Sequence, residues 1–403
     1  MDDGGMFDVG DAEERDATDP LAHWRDEFVV PDPELAYLDG NSLGRTPKRT
    51  IDALRRTVEQ EWAGDLISSW WDHGWLDLPL TVGDSLAPLI GARPGEVAVH
   101  DSTTVCLFQL VSAAVDLVRI RAGSVDARPV VVAVDDTEFP TDRYVVDGIA
   151  RVRSSGATPL VEVRRGLDDL DGVGVVVRSL VDYRTAELAS LADETRRAAD
   201  VGAITVWDLS HAVGVVAVDL ESAGAEFAAG CTYKFLNGGP GAPAFTYVRR
   251  SIQADVVQPI WGWFGQRDQF AMDNDFDARD GIGRMLNGTP GILGLTAAAA
   301  GISVSAEAGI DAIATKATAL STYAIDLATE LGLRCPTSRP PLSSGGHVSI
   351  LHPDAASLQE RLARERVAVD KRDPDVLRFG LSPLTTRFVD VHRGMTTLAR
   401  LIG

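Results

Sequence analysis

Residues 203–211 read A-I-T-V-W-D-L-S-H. The apolar run at residues 203–207 ends at the carboxylate of Asp208. Such a run predicts a strand that is buried on both faces, as in the parallel sheets of α/β proteins. Asp208 then stands at the carboxyl end of this strand, which is where open α/β sheets bind their ligands. The stretch therefore predicts an α/β fold with a ligand site at Asp208.

A second segment supplies an amine. Residues 231–241 read C-T-Y-K-F-L-N-G-G-P-G and place Lys234 between Tyr233 and Phe235. Apolar and small neighbours favour the neutral amine, which is the form that makes a Schiff base with an aldehyde. A pyridoxal ring also needs a carboxylate to keep its ring nitrogen protonated, and Asp208 is the candidate. Taken alone, Lys234 could be an ordinary surface lysine and Asp208 an ordinary turn residue. Taken together, the two residues predict a pyridoxal phosphate enzyme.

Composition excludes several other classes of protein. The chain has 403 residues, 45% of them hydrophobic, which is enough for two domains with large cores. A net charge of -21 opposes binding to nucleic acid or to an anionic membrane. Three cysteines without paired spacing predict neither a disulfide framework nor a metal site. We predict no membrane-spanning run, and with an acidic amino terminus we expect a cytoplasmic protein.

Strand-like and helical patterns alternate through the middle of the chain, as in a mostly parallel sheet. The clearest predicted strands are Val130–Val134, Leu160–Val163, Val173–Val177 and Ile204–Trp207. We predict a mobile acidic tail over residues 1–20 and, over 21–49, a segment that packs on the small domain and the active site. A large cofactor-binding domain is predicted over 50–290 and a small domain over 291–403.

Five segments carry a resemblance to the kynureninase family, within the aspartate-aminotransferase-like superfamily of pyridoxal phosphate enzymes. In chain order they are Leu38–Gly44, Phe139–Asp142, Asp208–Gly214, Cys231–Asn237 and Gly262–Gly265. The resemblance implies the type I fold: a large domain with a mostly parallel seven-stranded sheet sandwiched by helices, and a smaller α/β carboxyl-terminal domain.

The resemblance also implies roles for individual residues. Lys234 would hold the cofactor and move protons, Asp208 would pair with the ring nitrogen, and Tyr233 would protonate the β-carbon of the substrate. Phe139 would stack on the open face of the ring, and His211 would lie beside it. An aromatic ring suits that position because it holds a flat cofactor by its plane.

Further cofactor contacts are implied at Asp142 and Ser179. The phosphate would be bound at Thr103, Thr104, Tyr233, Trp263 and Thr289. Independently of the family, Thr103 and Thr104 begin a helical pattern, and the free amides of a helix amino terminus suit a phosphate. In the family, the positions of Trp263 and Thr289 reach the cofactor from a partner subunit, which implies a homodimer.

The implied substrate is a small molecule, an amino acid with an aryl ketone side chain. Arg378 matches the arginine that binds the α-carboxylate, for which a guanidinium fork is suited. Asn41 and Ser42, in a turn-forming stretch, are candidates for substrate binding if this loop covers the site. Recognition of the aryl ketone could use His73 and Trp75, with Trp70 and Trp71, although these residues fit a buried aromatic cluster equally well.

The implied reaction is hydrolytic cleavage of the Cβ–Cγ bond of L-kynurenine or 3-hydroxy-L-kynurenine, giving the anthranilate and L-alanine. Two residues depart from the family pattern: Gln266 stands where His is common, and Asp182 where Asn is common. Both leave a modified kynurenine open as substrate. The same lysine and aspartate would also serve a class V aminotransferase or a cysteine-desulfurase-like lyase, and a non-catalytic binding protein could use the same scaffold.

Overall fold

The computed structural model describes residues 8–123, 128–153, 160–340 and 345–403. The helices are α1 Val9–Ala17, α2 Lys48–Arg56, α3 Ser69–Asp72, α4 Leu78–Leu86, α5 Thr103–Arg121, α6 Pro140–Arg153, α7 Leu191–Asp200, α8 Ile292–Ala308, α9 Ile310–Glu330, α10 Ala355–Arg364 and α11 Phe388–Ile402. The strands are β1 Ala36–Tyr37, β2 Val97–His100, β3 Val130–Val134, β4 Val161–Arg165, β5 Val173–Ser179, β6 Ile204–Asp208, β7 Phe227–Cys231, β8 Ala244–Val248, β9 His347–Leu351, β10 Val367–Ala368, β11 Asp370–Arg372 and β12 Val376–Gly380.

The large sheet has seven strands in the order β2-β8-β7-β6-β5-β3-β4. Strand β8 is antiparallel to both of its neighbours, and the other pairs are parallel. Strands β6 and β7 are buried at every position, because apolar side chains pack on both faces of the sheet, against α5 and α6 on one face and against α4 and α8 on the other. The predicted mostly parallel sheet between helices is confirmed.

Strand register brings functional candidates together at one edge of this sheet. Ser179, the last residue of β5, is the register partner of Asp208, the last residue of β6. Lys234 follows three residues after β7 ends. The carboxyl ends of three adjacent parallel strands therefore lead into one site, as open α/β sheets do.

A second core lies between the carboxyl-terminal helices and a three-stranded antiparallel sheet of order β11-β12-β9. Helix α9 packs in this core, whereas Leu295, Ala298 and Ile302 of α8 pack with the large sheet. The domain boundary at residue 291 stays a prediction, and these contacts favour one nearer Gly309. Strand β1 pairs with β10, so the segment before residue 50 lies against this second core.

The mobile tail predicted for residues 1–20 is wrong for its described part. Val9–Ala17 forms helix α1, whose Ala12 is buried, and the Asp16 carboxylate accepts hydrogen bonds from the amides of Phe388 and Val389. The acidic composition suggested disorder, but the Asp16 side chain caps the free amides at the start of α11. Residues 1–7 lie outside the described residues.

One helix within the described ranges, α5, is long and apolar enough to span a membrane. Of its most apolar stretch of 18 residues, 56% is buried inside the protein. Its contacts with the large sheet account for its composition. Helices α8 and α9 pass the same test only as one broken unit, bent by 84°.

Candidate active site

A cavity of about 190 Å³ lies at the carboxyl ends of β5 and β6. Nine of the predicted cofactor residues line it: Thr103, Thr104, Phe139, Asp142, Ser179, Asp208, His211, Tyr233 and Lys234. They come from five separate segments of the chain, so only folding brings them together. Within the described residues, no group of three or more His, Cys, Asp or Glu side chains is placed to hold a metal ion.

Asp208 is buried at the floor of this cavity, and its Oδ1 accepts a hydrogen bond from the Ser210 amide at 2.7 Å. Burial raises the pKa of Asp208, while the Ser210 contact and the charge of Lys234 act in the opposite direction. The Lys234 Nζ lies 5.8 Å from the centre of the Tyr233 ring. The amine and the carboxylate that the sequence paired therefore face the same cavity.

Asp142 adds a second buried carboxyl group. Burial raises its pKa well above the usual range, and the charges of Asp208 and Glu138 raise it further. The Ser179 Oγ donates a hydrogen bond to Asp142 Oδ2 at 3.3 Å. Glu138 is itself held by an ion pair with Arg178 at 2.9 Å. The cavity thus brings carboxyl groups together in a buried place, where a cationic ligand would favour their charged forms.

His211 and Phe139 supply the flat surfaces of the site. His211 is buried, and burial lowers its pKa well below the usual value, so the imidazole is neutral. Its Nδ1 has no hydrogen-bond partner among the described residues. Phe139 is 38% exposed and meets Tyr183 edge-on, with ring centres 5.3 Å apart. Each ring is available to one face of a planar ligand.

The part of the cavity lined by the start of α5 suits an anion. Helix α5 begins there with Thr103 and Thr104, after an N-cap at Ser102 whose hydroxyl accepts from the Val105 amide. The two threonines place hydroxyl groups beside the free amides of a 19-residue helix. This donor set matches a phosphate, as the helical pattern predicted.

Arg378 is fully buried and does not line the cavity, but it contacts the lining residue Tyr183. Its Nε donates to Asp370 Oδ1 at 2.8 Å, its Nη2 donates to Asp370 Oδ2, and its Nη1 donates to the Tyr183 carbonyl at 2.7 Å. The Asn41 amide, with its oxygen turned toward Arg378, accepts from Nε at 3.2 Å. Ser42 Oγ donates to Asp370 Oδ2 at 2.6 Å. Asn41 thus meets the predicted carboxylate-binding arginine, and Ser42 meets Asp370, the aspartate that pairs with it.

Sequence reasoning missed Asp370. The single sequence carried no signal for this residue, because Asp370 comes to lie opposite Arg378 only when β11 pairs with β12, where opposite charges attract. Its importance follows from burial: a guanidinium without a counter-ion is costly inside a protein.

Seven of the predicted site residues do not line the cavity of a single chain: Asn41, Ser42 and Arg378, described above, and Trp263, Thr289, His73 and Trp75. Trp263 Nε1 donates to Thr289 Oγ1 at 3.3 Å, and both side chains are exposed. His73 Nε2 lies 2.8 Å from Asp65 Oδ2, and the buried Trp75 donates to Glu61 Oε2 at 3.0 Å. The ring of Trp75 also packs edge-on against Trp70, as expected for an aromatic cluster.

The two departures from the family pattern serve local turns. Asp182 Oδ1 accepts from the amides of Arg184 and Thr185 at 2.8 and 2.7 Å. Gln266 Oε1 accepts from the Asp277 amide at 2.7 Å. Neither residue lines the cavity. An asparagine oxygen could accept the same bonds as Asp182, so this departure has a structural explanation.

A profile of the kynureninase C-terminal domain matches residues 313–398. The kynureninase of Pseudomonas fluorescens is 38% identical over 398 residues, which cover 96% of this chain and 94% of that protein. The chain belongs to the kynureninase family. The kynureninase of Burkholderia pseudomallei strain 1106a is also 38% identical over 394 residues, again covering 96% of this chain and 94% of the relative.

Solved structures agree on the fold. A cystine lyase, C-DES, carrying the K223A substitution and glycine covalently linked to its pyridoxal phosphate, matches with a TM-score of 0.79 at 14% identity, covering 93% of this chain and 98% of that one. A cysteine desulfurase from Thermococcus onnurineus matches with a TM-score of 0.75 at 18% identity, covering 97% and 98%. The predicted type I fold, kynureninase family, pyridoxal phosphate cofactor and hydrolase class are confirmed.

The residues of the cavity fit pyridoxal phosphate chemically. Buried Asp208 and Asp142 match a protonated ring nitrogen, since both carboxyl groups have raised pKa values and a nearby cation would favour their charged forms. Lys234 supplies the amine for the aldehyde, and the start of α5 supplies donors for the phosphate.

Proposed function

We propose that this protein hydrolyses L-kynurenine, 3-hydroxy-L-kynurenine or both, releasing L-alanine and the corresponding anthranilate. The observation that carries the proposal is that Lys234, Asp208 and Tyr233 line one cavity, and that Arg378 is bonded to Tyr183, which lines the same cavity. Family membership supports the reaction type, and the choice between the two substrates belongs to the proposal.

In the proposed mechanism the cofactor, when bound, draws electrons away from the α- and β-carbons of the substrate. Lys234 would hold the cofactor until substrate arrives, would then remove the α-proton, and would return a proton to the α-carbon after the Cβ–Cγ bond has broken. Asp208 keeps the ring nitrogen protonated, because its carboxylate favours the cationic form. Arg378 orients the substrate through its α-carboxylate, which fixes the α-carbon over Lys234.

Cleavage requires a water and an acid. A water adds to the γ-carbonyl, the Cβ–Cγ bond breaks, and the aromatic acid leaves while a proton is delivered to the β-carbon. Tyr233 is the proposed donor of that proton. Burial raises the pKa of Tyr233, so its phenol keeps a proton to give at neutral pH.

The proposed assembly is a homodimer. Trp263 and Thr289 are exposed and joined by a hydrogen bond, yet they lie outside the cavity of their own chain. In the proposed dimer they complete the phosphate site of the partner. His73 and Trp75 lie outside the cavity of a single chain as well. Their assignment to substrate stays a prediction, as does a cytoplasmic location, which the free cysteines favour.

A cysteine-desulfurase reaction is the competing proposal, because the scaffold is shared. It needs an exposed, ionisable thiol. Cys231 is 1% exposed, its Sγ faces the Ser210 carbonyl, and burial raises its pKa. The thiol nearest to Lys234 in the sequence is therefore unsuited to this chemistry.

The test is incubation of the cofactor-loaded protein with each kynurenine in turn, with anthranilate followed by fluorescence and L-alanine counted separately. We expect equal amounts of the two products from at least one substrate and none with Lys234→Ala. Transamination, or release of sulfide from cysteine, in place of these products would refute the proposal.

A further inference from the structure

The buried state of Arg378 poses a problem of charge. Its Nε and Nη2 both bond to Asp370, and its Nη1 bonds to the Tyr183 carbonyl. Burial opposes ionisation of Asp370, but the hydrogen bonds and charge of Arg378 outweigh burial and lower its pKa. The pair therefore carries no net charge. A substrate carboxylate that meets this pair alone would gain little and would be repelled by Asp370.

A second guanidinium is present at the same carboxylate. Arg372 lies two residues after Asp370 on β11, so both side chains stand on the same face of the sheet. The Arg372 Nη2 lies 3.1 Å from Asp370 Oδ2. Two arginines thus share one aspartate, and the group of three has a surplus positive charge.

The two arginines differ in accessibility. The Arg378 side chain has no exposed surface, whereas the Arg372 side chain is 34% exposed. Arg372 donates from Nη1 to the Lys371 carbonyl at 2.8 Å, and its Nη2 meets Asp370 on one side only. A guanidinium has five N–H donors, so Arg372 keeps donors free for a ligand.

The charge of Arg372 contributes to the pKa shifts of two residues that line the cavity, His211 and Tyr233. Burial lowers the pKa of His211, and the charges of Lys234, His347, Arg378 and Arg372 lower it further. Burial raises the pKa of Tyr233, and Arg372 opposes that rise. Arg372 therefore acts on groups that line the site, although it belongs to the small sheet.

One further carboxyl group faces the cluster. Burial raises the pKa of Asp39 to about 6, with Asp370 adding to the rise and Arg378 and Arg372 opposing it. Asp39 Oδ1 is buried without a hydrogen-bond partner among the described residues. Among the carboxyl groups of the cluster, Asp39 can take up a proton most easily when another carboxylate enters.

We infer that Arg372 is a second substrate-binding residue, which receives the α-carboxylate of the amino acid together with Arg378 while Asp370 holds the two guanidinium groups in place. This inference rests on the proposed function and adds a specificity-determining residue to it. With Asp39 protonated, two guanidinium groups and one aspartate leave a single positive charge, which matches the single α-carboxylate of the substrate.

Arg372→Gln tests this role, with Arg364→Gln as the matched control because Arg364 is 77% exposed on α10 and pairs only loosely with Glu360 at 4.0 Å. We expect Arg372→Gln to raise KM for the kynurenine about tenfold or more, as loss of a charge-assisted hydrogen bond does. The kcat should change by less than about threefold, since this contact is equally present in the ground and transition states. Arg372→Lys should restore part of the affinity, and the control should match the parent.

The decisive ligand is the decarboxylated analogue of kynurenine, an amine of the same shape without the α-carboxylate. Its inhibition constant should be the same for Arg372→Gln and the parent protein. An unchanged KM in Arg372→Gln, or equal weakening of the analogue and the kynurenine, would overturn the inference and leave Arg372 with a structural role. Failure of the unsubstituted protein to cleave either kynurenine would instead refute the proposed function.

Discussion

The indole Nε1 of Trp263 donates a hydrogen bond to Oγ1 of Thr289 at 3.3 Å, on a surface outside the chain's own cavity. The bond fixes an amphipathic ring and a hydroxyl group side by side with their contact surface exposed. In the proposed homodimer this unit serves the other subunit.

Mixing two inactive variants tests this sharing of residues. Lys234→Ala and Trp263→Ala homodimers should each be nearly inactive. After subunit exchange, a mixed dimer has one site with both defects and one intact site, so about a quarter of full activity should return in a two-fold symmetric assembly. The control mixture is Lys234→Ala with Asp208→Ala, which should recover nothing because both residues come from the same chain. Recovery in the control, or none in the test mixture, would contradict the sharing.

Asp208→Asn should lower kcat by about 100-fold or more, because an amide cannot keep the ring nitrogen protonated. The measurement is single-turnover cleavage at saturating substrate, with cofactor content determined in parallel. Asp142→Asn is the informative comparison, since Asp142 is also buried and is bonded to Ser179. We expect the smaller loss there, and an equal or greater loss would transfer the principal role to Asp142.

His347 should make stability depend on pH. It is fully buried beside His211, and burial lowers its pKa to about 3. In the unfolded chain the pKa of His347 is about 6.5, so below that pH the unfolded chain binds a proton that the folded chain does not bind. The contribution of His347 to the free energy of unfolding is therefore fully present above about pH 6.5 and is lost as the pH falls below it.

Between pH 7.5 and 5 the loss due to His347 should be about 2 kcal/mol, at about 1.4 kcal/mol per pKa unit. His347→Leu should therefore lose that much less unfolding free energy than the parent over the same range, as measured by urea titration. Parallel losses in the two proteins would show that His347 accepts a proton in the folded state.

Asp16→Ala should lower the free energy of unfolding by about 1–2 kcal/mol, because two amides at the start of α11 lose their acceptor. Asp11→Ala on the same helix is the control. It breaks only the partly exposed pair with Arg15 and should cost about 0.5 kcal/mol or less. If both substitutions lowered the free energy of unfolding by the same amount, the cap on α11 would not contribute to stability beyond a surface ion pair.

The sequence predicted the residues that line the cavity better than those that surround it. The buried strand Val130–Val134 was predicted with its observed bounds, because an apolar run needs no distant partner to be recognised. Strands β7 and β8 were not among the clear predictions, since Gly230 and several alanines weaken the strand pattern of β7.

Contacts between distant segments were beyond a single sequence. Nothing in residues 8–20 indicates that Asp16 caps a helix 372 residues later. The binding of Arg378 by Asp370 likewise depends on strand pairing that only the fold defines. Roles that depend on partners far along the chain, or on another subunit, therefore need the three-dimensional arrangement.

The two buried carboxyl groups of Asp142 and Asp208 also determine which analogues of the cofactor the protein can bind. A deaza analogue, with a benzene ring in place of pyridine, keeps the aldehyde and the phosphate but offers no proton to these acids. Such a compound would fill the space and still leave two buried acids without a counter-charge. Selection at this site therefore depends on basicity of the ring as well as on shape.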